Sequence, residues 1–145
     1  MNILKINTQL LETLYRQADG GERLRMAYDL RNSCDDLSQR MLNALLPGTQ
    51  VPIHRHSNTS ETTICLHGCL EIVFYEETQN DSCVTAREGD AIYNLTECNR
   101  VKLCPIEGCY GIQVPAGAWH NVVVHENSTI FEAKDGPYAP LNCLR

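Results

Sequence analysis

From Gly48 to Lys134 the chain is a succession of short apolar stretches separated by turn residues, and no other feature constrains its fold as strongly. The stretches read "QVPIHRH", "TTICLHG", "CLEIVFYEE", "CVTAR", "AIYNL", "YGIQVP", "WHNVVVH" and "STIFEAK", with breaks at "SNTSE", "ETQND", "EGD", "PIEG", "PAG" and "ENS". Closely spaced short strands with turns between them build a sandwich or barrel, whereas an α/β fold needs helices between its strands. In "CLEIVFY", Leu70, Ile72 and Phe74 fall on one face, which is the period-two pattern of a half-buried strand.

Ahead of this region the spacing predicts one helix over residues 7–19. Asn7 or Thr8 can cap it, Leu10, Leu11, Leu14 and Tyr15 recur at helical intervals, and Gly20-Gly21 stops the run. Residues 35–46, "DDLSQRMLNALL", are ambiguous. Leu37, Met41, Leu42, Leu45 and Leu46 suit an amphipathic helix, yet the run is short and ends at Pro47-Gly48. The chain therefore reads as mostly β with an N-terminal helix, in a single domain over residues 1–145.

Composition narrows the function classes. With 12 basic and 18 acidic residues the formal charge is −6, and Lys and Arg are scattered, so neither nucleic acid nor an anionic membrane is an expected partner. The first residues lack a basic start followed by an apolar run, and no stretch approaches a bilayer-spanning length, which predicts a cytoplasmic protein. Eight cysteines without a CxxC pair are then expected to be free thiols.

The chemistry concentrates in "HRHSNTSE". Histidines at i and i+2 of an extended segment point to one side, so His54 and His56 can reach a common point while Arg55 faces away. Glu61 can add a carboxylate after the "SNTS" turn, and His120 in "VPAGAWHNV" is a further imidazole. Imidazole nitrogens with a carboxylate oxygen suit zinc, iron, nickel or manganese. Taken by themselves, these residues fit a solvated loop better than a metal site.

Their spacing decides between the two readings. Gly48, five residues, His54-Arg55-His56, four residues, Glu61, six residues, Gly68 resembles the first motif of the cupin superfamily, and Pro115-Ala116-Gly117-Ala118-Trp119-His120 resembles the second. The second motif departs at Val124, where Asn is common, and in having three residues rather than five between its glycine and Pro115. The run "QRMLNALLPG", the "VPAGAWHNVV" segment and the tail "FEAKDGPYAP" are similar to the WbuC-type cupin metalloproteins, whose genes often lie among those for surface polysaccharides. The stretch from Asn94 to Cys109 is longer than in the common form of that group.

The resemblance implies a double-stranded β-helix, or jelly-roll barrel, over residues 34–145 with residues 1–33 as helix and lead-in. It also makes "SQRMLNALLPG" a barrel strand. It implies one divalent transition metal (Fe, Ni, Mn or Zn) on His54, His56, Glu61 and His120, with two positions open to a small-molecule ligand. Counting by twos adds Cys65 to the ligand face, as a pocket liner or a small buried thiol, and puts Glu132 and Lys134 on one side, as an acid/base pair or an ion pair. Arg40 and Tyr138 fall in family-like stretches and are expected to hold a substrate carboxylate or phosphate, whereas His67 and His125 are expected to stay away from the metal. The function classes left are a sugar or nucleotide-sugar isomerase or epimerase, a dioxygenase, and a metal-containing binding or sensor protein. A homodimer formed through barrel edges is expected.

Overall fold

The structure is a computed structural model that describes residues 1–137. Helix α1 (Thr8–Asp19) starts at Asn7, whose side chain accepts a hydrogen bond from the Leu10 amide, and ends at Gly20. Nine strands follow: β1 (Arg25–Asp29), β2 (Ser38–Leu45), β3 (Glu61–His67), β4 (Leu70–Glu77), β5 (Val84–Glu88), β6 (Ala91–Leu103), β7 (Gly111–Val114), β8 (Trp119–Val124) and β9 (Ser128–Asp135). They pair antiparallel in two sheets, β1-β2-β9-β3-β7 and β5-β6-β4-β8. This is the jelly-roll arrangement expected of a cupin.

The core lies between the sheets. Leu45, Cys65, Leu70, Ile72, Leu103, Val124 and Ile130 form one buried cluster, with Phe74 against it, so the face read from "CLEIVFY" is the inner one. On the outside of the five-stranded sheet, Leu14 of α1 packs on Leu42 and Ala44 of β2, with Leu10, Tyr15 and Phe131 around them. Strand β2 is thus covered on both faces: Leu42 and Ala44 meet the helix, while Met41, Asn43 and Leu45 point inward. Apolar residues on two faces blur the period-two signal, which explains why this segment imitates an amphipathic helix.

Three expectations need correction. "QVPIHRH" is not a strand: its only ladder contact is the isolated bridge between His54 and His120, because Pro52 has no amide to donate and the segment runs beside a sheet edge. Strand β1 falls inside what reads as lead-in. Strand β6 continues eight residues past "AIYNL" to Leu103, paired with β4 for much of its length. Polar and charged residues on its outer face hide that extension.

Two turns fix where the site residues land. Gly68 has φ +95°, and a Cβ there would meet Ser128 Oγ at 2.3 Å and the Asn127 carbonyl at 2.4 Å, so only glycine fits between β3 and β4. Gly117, at φ +80°, occupies the third position of a turn closed by the Ala118 amide on the Pro115 carbonyl at 3.2 Å. No helix among the described residues is long and apolar enough to cross a membrane.

Candidate metal centre

The two histidine-bearing segments, with His56 and His120 64 residues apart in sequence, are joined by backbone. His54 and His120 exchange amide-to-carbonyl bonds at 3.0 and 2.9 Å, and the Gly117 amide donates to the His56 carbonyl at 2.8 Å. This stitching brings three imidazoles together: His54, His56 and His120 each offer a ring nitrogen, all within 4.8 Å of one another. Ring centroids lie 4.4 Å apart for His54 and His120 and 5.1 Å apart for His54 and His56.

The hydrogen bonds select the nitrogens. His54 Nδ1 lies 2.8 Å from the Pro52 carbonyl and His120 Nδ1 lies 2.9 Å from the Ala118 carbonyl. A carbonyl only accepts, so each Nδ1 carries the proton and each Nε2 keeps its lone pair, the tautomer a metal ligand requires. Burial, followed by the neighbouring His120, holds the His54 pKa down to about 3. Burial also lowers that of His120. Both rings are therefore neutral near pH 7 and competent to bind a cation.

His56 differs. Its Nε2 is buried without a hydrogen-bond partner, 3.3 Å from Glu61 Oε2, and its Nδ1 lies 2.8 Å from Lys134 Nζ. An orphaned buried ring nitrogen beside a carboxylate and two convergent imidazoles fits a metal, which would satisfy it. For Nε2 to ligate, the ring proton must sit on Nδ1, with Lys134 accepting it as a neutral amine. Burial shifts the Lys134 pKa in that direction, although the Glu61 and Glu132 carboxylates oppose it. Burial alone would push the Glu61 carboxyl up, but contact with His56 and then the charges of His120 and Lys134 hold it below its usual range.

Arg55 anchors the segment on its other side. Its guanidinium makes two bonds to Glu88, at 2.8 and 2.7 Å, and lies 4.4 Å from the Trp119 ring and 4.9 Å from the Tyr93 ring. A bidentate carboxylate and two aromatic faces suit arginine and not lysine. Because residues 50–60 have almost no ladder bonds, this clamp and the two backbone stitches hold the histidines in place. Arg55→Lys is expected to weaken metal binding by about 10- to 100-fold, the usual cost of disturbing a ligand's support. Titration with a competing chelator measures it, and an unchanged affinity would show that the stitches suffice.

The imidazoles open onto a cavity of about 220 Å³ between the sheets. Cross-strand register puts lining residues of β2, β9 and β3 in two rows: Gln39, Lys134 and Glu61 side by side, then Met41, Glu132 and Thr63. Glu132 and Lys134 thus share the cavity wall, as their parity implies. Burial, followed by the Glu61 charge, raises the Glu132 carboxyl to about 8.

Two expected ligand contacts fall elsewhere. Arg40 alternates with Gln39 and Met41, so it leaves the cavity to pair with Asp36 at 3.3 Å. Cys65 has the right parity but lies too deep: it is buried in the hydrophobic core, with its thiol donating to the His67 carbonyl. Tyr138 lies outside the described residues. His67 bonds Tyr15 and His125 bonds Glu71, away from the cluster. The seven cysteines among the described residues are free thiols. Sequence reasoning missed Arg23, Arg25, Gln39 and Asn43, which line the cavity. The available signal was polar residues alternating with Met41 and Leu45 once 38–45 is taken as a strand.

Residues 6–87 match the family model described as "Domain of unknown function (DUF6016)", a span that includes His54, His56 and Glu61 but stops short of His120. No curated protein matches the chain. Among solved structures it is similar to the capsular polysaccharide assembling protein CapF from Staphylococcus aureus, with a TM-score of 0.56 and 15% identity over 81% of this chain. The chain spans 28% of the length of CapF. It is also similar to a cupin superfamily protein from Desulfitobacterium hafniense, at a TM-score of 0.51 and 16% identity, over 79% of this chain and 78% of that one. A protein from Bacillus halodurans gives 0.52 and 14%, over 96% and 85%. These are likenesses of fold, and with the histidine cluster they fit a metal-binding cupin.

Proposed function

This chain belongs to the family described as "Domain of unknown function (DUF6016)", and we propose that it is a metal-dependent enzyme that moves a proton on a small, oxygen-rich substrate, in the manner of a sugar isomerase or epimerase. The observation that carries this reading is the placement of Glu132 and Lys134 on the same cavity wall as the convergent histidines. His54, His56 and His120, with Glu61 beside them, would hold the ion. When bound, a divalent metal supplies Lewis-acid polarisation of a substrate oxygen.

The chain's own residues supply the proton chemistry. Glu132 sits in the second row of the wall, one residue pair from Glu61, and its raised carboxyl range keeps a proton on it near neutral pH. Lys134, in the first row, faces His56 and can hold or release a proton at Nζ. Gln39 and Asn43 also line this wall, Gln39 with its amide donating to the Pro137 carbonyl at 3.0 Å and Asn43 bonded to Glu132. Other parts of the cavity are apolar, from residues such as Leu45, Ile72, Val122 and Ile130, so the reading rests on the polar residues nearest the histidines. The WbuC-type resemblance and the likeness to the capsular polysaccharide assembling protein CapF agree with a carbohydrate, and both bear on substrate class alone.

The test is proton exchange. Metal-loaded protein is incubated in D2O with a panel of aldoses, ketoses, sugar acids and sugar phosphates, and deuterium at carbon is followed by NMR. Exchange with at least one substrate, lost in Glu132→Gln at unchanged metal content, is the expected result. Exchange that survives in Glu132→Gln removes the acid-base role, and no exchange with any substrate leaves a metal-containing binding protein.

A further inference from the structure

A second gathering of reactive side chains lies at the end of the barrel away from the histidines. In the strand ladders Glu61 faces Lys134 and His120 faces Phe74 near the candidate metal centre, whereas at the other end His67 faces Thr129 and Val124 faces Leu70. Cys69 sits at that other end. Its amide donates to Ser128 Oγ at 3.0 Å and its carbonyl accepts from the His125 amide at 3.1 Å. The segment "CNRVKLCPIEGC" brings Cys104 and Cys109 to the same place.

Strand register makes Cys69 and Cys104 direct neighbours. Leu70 lies opposite Leu103 in the β4-β6 ladder, so the next pair outward is Cys69 with Cys104. Cys104 exchanges both of its backbone bonds with Cys109, at 2.8 and 3.3 Å. A strand residue aims its N–H and C=O to the same side, so Cys104 turns neither toward Cys69. The two cysteines are thus a non-hydrogen-bonded antiparallel pair, whose Cα atoms stand about 4.5 Å apart with side chains closer than in a hydrogen-bonded pair. A disulfide needs Cα atoms roughly 4.4–6.8 Å apart and Cβ atoms roughly 3.5–4.5 Å apart, which this pair meets better than Cys104 with Cys109. The Cys69 and Cys104 thiols already share a hydrogen bond, and the residues are 8% and 4% exposed. A buried thiol needs no such partner to pack well, so the directly opposed pair is what sets these two apart from the other cysteines.

We propose that Cys69 and Cys104 form a two-electron redox site that a peroxide converts to a disulfide. One sulfur attacks a peroxide oxygen, the O–O bond breaks, and water leaves together with a sulfenic acid on that cysteine. The other sulfur then displaces the sulfenic oxygen as a second water, so that one S–S bond replaces two S–H bonds. Hydrogen peroxide is small enough to reach thiols that are nearly covered. Burial, followed by the contact with Cys104, raises the Cys69 thiol to about 11. No stabilised thiolate therefore favours the reduced pair, and the disulfide resists exchange once it has formed. The bond ties the start of β4 to the end of β6 and, through the backbone bonds of Cys69, to the turn between β8 and β9.

The full chain, stripped of metal with a chelator and fully reduced, is treated with hydrogen peroxide, which catalase then removes. Remaining thiols are alkylated, and the protein is digested with trypsin and a glutamate-specific protease. Cleavage after Lys102 and Glu107 isolates Cys104 from Cys98 and Cys109, and cleavage after Glu61 and Glu71 leaves Cys69 with Cys65, which peptide fragmentation tells apart. The expected result is a cross-link from Cys69 to Cys104 within one chain, with a melting temperature roughly 5–15 °C above that of the reduced protein and returned to it by dithiothreitol. Cys69→Ala and Cys104→Ala should lose both changes, and Cys109→Ala should keep them. Mapping on wild type decides the matter by itself if an alanine variant fails to fold. A cross-link through Cys65 or Cys109 in place of this pair, one formed only between chains, or thiols that stay reduced or pass straight to sulfinic acid would each overturn the proposal.

Discussion

Protein purified without added metal is expected to carry close to one equivalent of a transition metal, and His56→Ala is expected to bind it at least about a hundredfold more weakly. The reasoning is geometric. His54 and His120 are fixed by their mutual backbone bonds and by Nδ1 contacts to carbonyls, so two ligands survive the substitution with their tautomers intact. His56 supplies the third nitrogen of the cluster and the contact to Glu61, and its loss removes the nitrogen that has no other partner. The remainder, His54 and His120 with Glu61, is one nitrogen short of the full set and is expected to hold the ion more weakly. Stability separates this outcome from simple unfolding. An orphaned buried nitrogen costs free energy in the metal-free fold, so metal-free His56→Ala should melt within about 1 kcal/mol of metal-free wild type. Only wild type should gain stability on adding metal, through mass action on the folded state. Elemental analysis with parallel melting curves reads both effects, and equal metal in the two proteins would discard the ligand set.

The second large effect concerns Glu132 and pH. In the metal-free protein its carboxyl is raised to about 8 by burial and then by Glu61, against an ordinary value of 4.5. Below about pH 4.5 the group is protonated in both folded and unfolded chains and contributes no difference. Between pH 4.5 and 8 the unfolded chain releases the proton while the folded one keeps it, so stability falls as pH rises, at up to about 1.4 kcal/mol per pH unit. Above pH 8 the full cost of the buried charge is present. Glutamine is neutral throughout, so Glu132→Gln should match wild type near pH 5 and exceed it by several kcal/mol near pH 8.5. Urea unfolding of metal-free protein at a series of pH values gives the comparison. Parallel curves for the two proteins would mean that Glu132 is solvated and unfit to hold a proton for catalysis.

Both effects depend on residues that were legible to different degrees. The candidate ligands were legible because a metal motif is a matter of spacing: i and i+2 on extended backbone share a side, and a glycine-bearing turn precedes His120. Helix α1 and seven of the nine strands were legible for a similar reason, since capping, turn residues and period two are local. Glu132 and Lys134 followed from parity alone. Cys65 shows the limit of parity, and Arg40 the limit of a family-like stretch. One residue of register sends Arg40 to Asp36 on the outer side, and depth along the strand puts Cys65 in the core although its side is correct.

What the amino-acid order determined by itself, then, is the set of local periods and the donor atoms: a helix, a run of short strands and four ligand-type side chains at fixed intervals. The tertiary structure decided everything that depends on which strands become neighbours. Pairing of β2 with β9 and of β9 with β3 lines up Gln39, Lys134 and Glu61 in one row, and pairing of β1 with β2 turns Arg25 inward. It also makes "HRH" a clamped segment in place of a strand, held by Arg55 against Trp119 and Tyr93. These juxtapositions join residues tens of positions apart, and no local rule encodes them, because burial and charge act on the distance between side chains in the folded chain and not on their separation along it.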